Sequence, residues 1–427
     1  MKRVLAFLLI LSFFIWIGVI LSLYFKVHYS YMALFLSKNN IFDELCLLFL
    51  LALLSYAFGR RILLLLRFKF HSLLEEFVFA SGVGWVILAY GTMILNMLWR
   101  YACGLIVGIL LLFAIELFVI VRNALPKIKS SLEVKFAPLS IILWYLLGVS
   151  LFLTLIMALS PPFEFGELAH LQSAHNYIES HKIPTSTIEM LFTLGILLNN
   201  DILAKLIHFY FGILVIINIF ALVNRYFNPV SGLLSSCIFY INSLVIFLAG
   251  TARIELGLVF YELLAIYSFL CWVSSNKISW FVMMAIQVGF ALAVDCHGIY
   301  CLIGLIPIIF YRKGLSSTIY LFSYIIIQLL IWCCLKGQIL SILPLLAILM
   351  AHFIYSYLKE YTLLKRGIFC VITLIFILIL SYESYVIINY YAPLKFIFGL
   401  ENASEYVARN IVSVQPSGIS NQLTTGK

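Results

Sequence analysis

The chain reads as an all-α polytopic integral membrane protein of about 13 transmembrane helices. Three observations predict this class. Mean hydropathy is +1.12, and 64% of the 427 residues are hydrophobic against 11% charged, where a soluble domain carries about 25% charged residues. Apolar runs of about 20 residues, long enough to cross a bilayer as helix, recur from end to end. These runs are continuous and lack the alternation of a transmembrane β-barrel.

The first span is expected at 4–24, after Met1-Lys2-Arg3. It is too long for a signal h-region and no small-residue cleavage site follows, so it reads as uncleaved. Further spans follow at 44–59, 76–97, 102–121, 138–158, 202–222, 230–249, 256–274, 279–294, 298–311, 317–335, 338–358 and 367–386. They divide the chain into four segments: N-terminal membrane helices 1–137, a core 138–311 with an outer loop 159–201, C-terminal membrane helices 312–386, and a short tail 387–427. With the N-terminus in the cytoplasm, thirteen crossings put the C-terminus outside.

Charge distribution agrees. Seventeen of the 27 Lys and Arg fall at inside ends, clustered at Arg60-Arg61, Arg67 with Lys69, Arg312-Lys313 and Lys365-Arg366, and ten fall outside. This is the positive-inside bias. The net charge of +9 therefore reports orientation, and no nucleic-acid partner is expected. The nine cysteines form no C-x-x-C pair, so neither a disulfide framework nor a metal-ligand set is expected. Glycine-rich phosphate loops, H-E-x-x-H and G-x-S-x-G are absent.

The chemistry-bearing residues gather at one membrane face. After the fifth span comes Ser160-Pro161-Pro162-Phe163-Glu164-Phe165-Gly166-Glu167-Leu168-Ala169-His170-Leu171. Glu189, Asp201, Lys205 and His208 follow before or early in the sixth span, Arg253 and Glu255 start the eighth, and Asp295 and His297 occupy the turn after the ninth. Titratable groups converging on one interface from distant sequence positions mark a candidate site; a set of solvated loops is the competing reading. Leu168, Leu171, Ala174 and Ile178 recur at helical spacing, so a short interfacial helix within 163–188, ended by Pro184, is expected. On such a helix Glu167 and His170 are neighbours, and the imidazole is expected to orient the carboxylate. Glu116 and Glu262 fall inside spans, where carboxyls often mark ion pathways.

The Pro161-Pro162 pair with Glu164 to Glu167 and His170-Leu171 resembles the first outer loop of the GT-C membrane glycosyltransferases. These include protein mannosyltransferases and bacterial lipid A sugar transferases. The likeness runs through Ile188–Gly195, Asp201–Leu206, Ala249–Gly257 and Gly289–Ala293, covering roughly 140–310. The resemblance implies a GT-C-like fold in a bacterial inner membrane. It also implies transfer of a sugar from a polyprenyl-phosphate donor in the bilayer to an acceptor at the outer face. Glu167, Glu164 and His170 are then the catalytic candidates, with Glu167 the preferred base. Glu255, Arg253, Asp295, His297 and Glu189 are the substrate-binding candidates. The cofactor is open, a divalent metal being one option. The chain departs from the family where the loop Asp stands: aligned on Pro-Pro it falls on Gly166, and aligned on His-Leu on Phe165. Glu255 replaces a family Asp and Asp295 a family Lys. An inactive relative or assembly subunit is therefore a second expectation, and a transporter or flippase for a polar or lipid-linked solute is the alternative from another class.

Topology is open to direct test. Reporter fusions at residues 69 and 313 should give cytoplasmic signals and one at 427 an extracytoplasmic signal; a cytoplasmic signal at 427 would break the odd span count.

Overall fold

The structure is a computed structural model. It describes residues 41–97, 138–180, 183–310, 339–358, 363–397 and 400–414, with parts of 319–328. The described residues are helical throughout and contain no strand. Five helices are long and apolar enough to cross a membrane: α1 (Ile41–Leu65), α2 (Leu73–Met97), α3 (Pro138–Ala158), α6 (Asp201–Tyr226) and α9 (Glu255–Ser275). The protein is thus a helical membrane protein by composition and helix length. Expected spans 4–24, 102–121 and most of 317–335 lie outside the described residues. Shorter apolar helices stand at three expected spans: α10 (Ile278–Val294), α11 (Ile299–Phe310) and α12 (Leu343–Leu358). A fourth, α13 (Leu363–Tyr385), covers the last one and runs into a π-helical turn at Val386–Tyr391.

One expected span is broken in the middle. Residues 230–249 form two helices, α7 (Pro229–Tyr240) and α8 (Ser243–Ala249), bent by 76°. Asn242 makes the break, because its side chain accepts the Leu244 N–H at 3.0 Å and starts a new helix. Twelve residues of α7 rise about 18 Å, so α7 alone is too short to cross, and the bent pair together leads from the Arg225 end to the loop 250–254 beside Glu167.

The loop 159–201 also acquires structure. Helix α4 (Phe165–Ser180) forms where an interfacial helix was expected and ends before Pro184. Its buried stripe is Glu167, Leu171, Ala174 and Tyr177, turned by about one residue from the expected one, because Glu167 takes an internal partner. Met190 to Leu198, apolar but too short for a span, lies in α5 (Thr187–Leu198), which a Ser186–Glu189 capping box begins. Glu189 near its start meets His170, and Asp201 just past its end meets His175. Both partners lie on α4, so α5 returns to the same end and does not cross.

Helix ends therefore sort into two sets. At one end Glu75 of α2 pairs with Arg225 of α6 at 2.5 Å, and Glu76 of α2 with Arg60 of α1 at 2.6 Å. At the other, Glu44 of α1 accepts from Asn200 at 2.7 Å, beside the first-loop residues. One hydrophobic core runs from Leu48 to Tyr406 across all four segments. Helices α6 and α9 are its pillars, 78% and 89% buried over their apolar windows. Tyr261 of α9 donates to the Gly82 carbonyl of α2 at 3.0 Å, and Tyr267 to the Ala221 carbonyl of α6 at 3.3 Å, the interhelical hydrogen bonding that apolar surroundings favour.

Helices α1 and α2 approach to backbone contact. Ser55 and Gly59 face Ala80 and Gly84, two small-x-x-x-small patterns that admit backbone contact. A Cβ on Gly84 would lie 1.6 Å from the Ser55 carbonyl oxygen, and one on Gly59 1.8 Å from that of Ala80. Gly84→Val should lower the thermal unfolding temperature by several degrees, since overpacking costs about 1–3 kcal/mol. Gly91→Val, where a Cβ meets nothing within 4 Å, should leave it nearly unchanged.

Candidate functional site

Pro161 and Pro162 end α3, since proline neither donates to a helix ladder nor lets its predecessor stay helical. Glu164 then starts α4, its Oε2 accepting the Glu167 N–H at 2.8 Å. One turn in, Glu167 points into the protein. Its Oε1 lies 3.3 Å from Lys205 Nζ, with both side chains fully buried. The same oxygen accepts the Ala252 N–H at 2.9 Å, and Oε2 accepts that of Phe163 at 3.2 Å. Lys205 also donates to Ser160 Oγ at 3.4 Å and the Pro161 carbonyl at 3.5 Å. Four segments thus meet on one ion pair: the proline loop, α4, α6 and the loop 250–254.

That loop carries the exposed half of the site. Arg253 Nη2 meets Glu164 Oε1 at 2.8 Å, and its Nη1 meets Glu255 Oε1 at 3.2 Å, all three side chains partly exposed. Burial alone would raise the Glu164 pKa. Amide hydrogen bonds from Glu167 and Gly166 and the Arg253 charge outweigh it and hold the carboxyl below its ordinary value. Gly166 is tied to the same place: a Cβ there would lie 2.6 Å from Arg253 Nη2 and 3.1 Å from Glu164 Oε2.

The other expected residues divide. His170 does not orient Glu167. Its Nδ1 lies 2.8 Å from Glu189 Oε1, while Ser173 Oγ donates to Glu189 Oε2 at 2.9 Å. Glu189 therefore clamps α4 to α5 while capping its own helix, and is nearly fully buried. The physical reason is facing: α5 lies along the His170 side of α4, and Lys205 along the Glu167 side. Asp295 pairs with His297, two residues on, and accepts that residue's N–H at 2.7 Å. Among the described residues no hydrogen bond or ion pair joins these two to the Arg253 cluster. Asp295, Cys296 and His297 bring three potential metal-ligand atoms within 4.8 Å, although Asp295 already spends its carboxylate on His297.

Two residues of the expected cluster, to which no role was assigned from sequence, matter. Lys205 was legible as a lone charge in the apolar run Ile202-Leu203-Ala204-Lys205-Leu206-Ile207, which demands a partner. His208, one turn on and fully buried, has its Nδ1 2.7 Å from the Thr251 carbonyl and accepts the Leu256 N–H at Nε2, 3.3 Å away. It fixes both flanks of Arg253 to α6.

Beside the proline pair a cavity of about 680 Å³ opens. Asn200, Asp201 and Ile202 form one wall; Phe396, Leu400, Glu401 and Glu405 form the other. That second wall belongs to the C-terminal segment, α14 (Pro393–Ile397) and α15 (Ala403–Val414). The segment is packed on the first loop by rings of Tyr391 and Tyr406, 5.1 and 5.9 Å from that of Phe163. Comparison with protein-family models, with curated proteins and with solved structures finds no match to this chain.

Removing one member of a buried ion pair leaves an uncompensated charge and costs about 3–5 kcal/mol. Lys205→Met should therefore destabilise strongly in thermal unfolding, and the Glu167→Gln, Lys205→Met double variant should recover part of the loss. Additive single effects would show that the pair is not coupled.

Proposed function

We propose that the protein is a glycosyltransferase of the GT-C kind. On this reading it moves a sugar from a polyprenyl-phosphate donor to an acceptor at the extracytoplasmic face of a bacterial inner membrane. The observation that carries the reading is the coincidence at Gly166. Aligned on the Pro-Pro pair, and not on His-Leu, the family Asp falls on this position; a side chain there would run into Arg253, and Glu164 brings a carboxylate to that guanidinium from two residues upstream. The base is accordingly Glu164. Glu167, the base preferred from sequence, is sealed against Lys205 and becomes a positioning residue.

In this mechanism the acceptor hydroxyl attacks the anomeric carbon while Glu164 takes its proton. The bond between sugar and phosphate oxygen breaks, and the electron pair leaves on the phosphate, whose charge Arg253 offsets. Donor binding draws Arg253 from Glu164, removing one of the influences, beside the Glu167 and Gly166 amides, that hold the Glu164 pKa down, and making it a better base. Glu255 retains the guanidinium during the exchange. Phe165, 86% exposed beside Glu164, offers an apolar surface for the isoprenoid chain. The cavity beside Pro161 and Pro162 is the space assigned to the acceptor on this reading.

Two observations favour a transporter as the second reading: the broken pair α7–α8, and Glu262, buried within α9 with Oε2 lacking a hydrogen-bond partner. Discontinuous helices and intramembrane carboxyls are common in transporters.

Purified protein incubated with a panel of polyprenyl-phosphate sugars should release polyprenyl phosphate. Glu164→Gln should slow release about 100- to 10,000-fold without lowering thermal stability to the extent of Lys205→Met. Solute uptake into proteoliposomes without release of polyprenyl phosphate would establish the transporter instead.

A further inference from the structure

The turn between α10 and α11 carries three different donors in consecutive residues, Asp295, Cys296 and His297, followed by Gly298. Its backbone is fixed. Asp295 ends α10 in an extended conformation, and its carboxylate and carbonyl accept the His297 and Gly298 N–H groups at 2.7 and 3.0 Å. Gly298 is pressed on the last turn of α10, where a Cβ would lie 2.6 Å from the Ala291 carbonyl carbon.

A carboxylate oxygen of Asp295, Cys296 Sγ and a ring nitrogen of His297 all lie within 4.8 Å of one another, with Sγ 3.9 Å from Nδ1. Ligands bonded at about 2.0–2.3 Å to a tetrahedral ion stand roughly 3.3–3.8 Å apart, so a small movement closes the set. Both contacts of Asp295 with His297 use Oδ1, which leaves Oδ2 for an ion. Cys296 is exposed and the His297 side chain is 37% exposed, so the ion arrives from water.

A second observation lies beneath the turn. Glu262 of α9 is 4% exposed, and its Oε2 has no hydrogen-bond partner among the described residues. Ser341 hydrogen-bonds the carboxyl, and Asp295 is the charge that faces it. The other ionisable groups near it, Cys301 and Tyr324, carry no positive charge. Among the described residues, two carboxylates thus face each other at the rim of an apolar bundle with one imidazole between them. A divalent ion offsets both.

We infer that this turn binds zinc, with Asp295, Cys296 and His297 as ligands, a water in the fourth position and Glu262 as buried counter-charge. The donors decide the metal: thiolate with imidazole suits zinc, whereas magnesium and calcium take oxygen ligands. On binding, the thiol gives its proton to water, and the imidazole keeps one at Nε2 while Nδ1 takes the metal. Cysteine spacing hid the site, because each ligand is a different residue type. Among the described residues no hydrogen bond or ion pair joins it to the Arg253 cluster, so it stands apart from sugar transfer.

The test titrates the full chain in detergent, stripped with EDTA, with Co2+ as a spectroscopic stand-in for zinc. Wild type should develop thiolate-to-cobalt charge-transfer absorption in the near ultraviolet; zinc should abolish it, and excess Mg2+ should not. Cys296→Ser should lose the absorption while thermal unfolding of the stripped protein stays unchanged, since the side chain is exposed. Cys46→Ser should keep it. Glu262→Gln retains shape and should weaken zinc binding about 10- to 100-fold, the scale for groups acting behind a metal's ligands. Absence of the absorption in wild type, its persistence in Cys296→Ser, or unchanged zinc affinity in Glu262→Gln overturns the inference.

Discussion

The buried pair of Glu167 and Lys205 is the constraint on which one end of the protein depends. Taking both charges out of water costs several kcal/mol each, and mutual attraction repays this only with good geometry and further hydrogen bonds. Those bonds come from elsewhere in the chain: the amides of Phe163 and Ala252 on the carboxylate, and Ser160 and the Pro161 carbonyl on the ammonium. The charges can be paid for only while four segments hold one register. Such a pair adds little net stability over a hydrophobic replacement, and its value here is positional. By fixing the Ala252 amide it fixes Arg253, the next residue, against Glu164.

The opposite end is pinned by a different design. Arg225 with Glu75 and Arg60 with Glu76 tie α6, α2 and α1 together at short range. The arginines remain partly exposed, so these pairs suffer less desolvation than Glu167 and Lys205. Between the two ends the bundle holds through small residues and tyrosine hydroxyls, with few charges. Asn218 of α6 has no hydrogen-bond partner at either amide atom, and Glu262 of α9 lacks one at Oε2. Buried polar atoms left unpaired are costly, and these two carry that cost inside the bundle.

The membrane helices were legible because the bilayer imposes a length: α3 begins and ends at residues 138 and 158 as expected, stopped by the prolines that follow. The bend at 241–242 was not read, since Ile241 and Asn242 interrupt an apolar run by one polar residue and the signal lay in its capping role. Side-chain partners were least legible. Glu167 and His170 are adjacent on a helix by spacing alone, yet Glu167 pairs with Lys205, 38 positions away, and His170 with Glu189, because α6 and α5 lie on different sides of α4. Spacing states which residues share a face; only packing states what that face meets.

The same distinction bears on whether the first loop has decayed or been rebuilt. A lost motif in a decaying site leaves its partner groups unengaged. Here the guanidinium that a residue-166 side chain would strike is held by Glu164, and Gly166 supplies the room for that contact, since any Cβ would stand 2.6 Å from Arg253 Nη2. The glycine and the glutamate are therefore one choice, each requiring the other. Two amides and a cation hold the Glu164 carboxyl below its ordinary pKa, beside the Arg253 guanidinium. Chemistry depends on where the oxygen is, and sequence position alone does not state it.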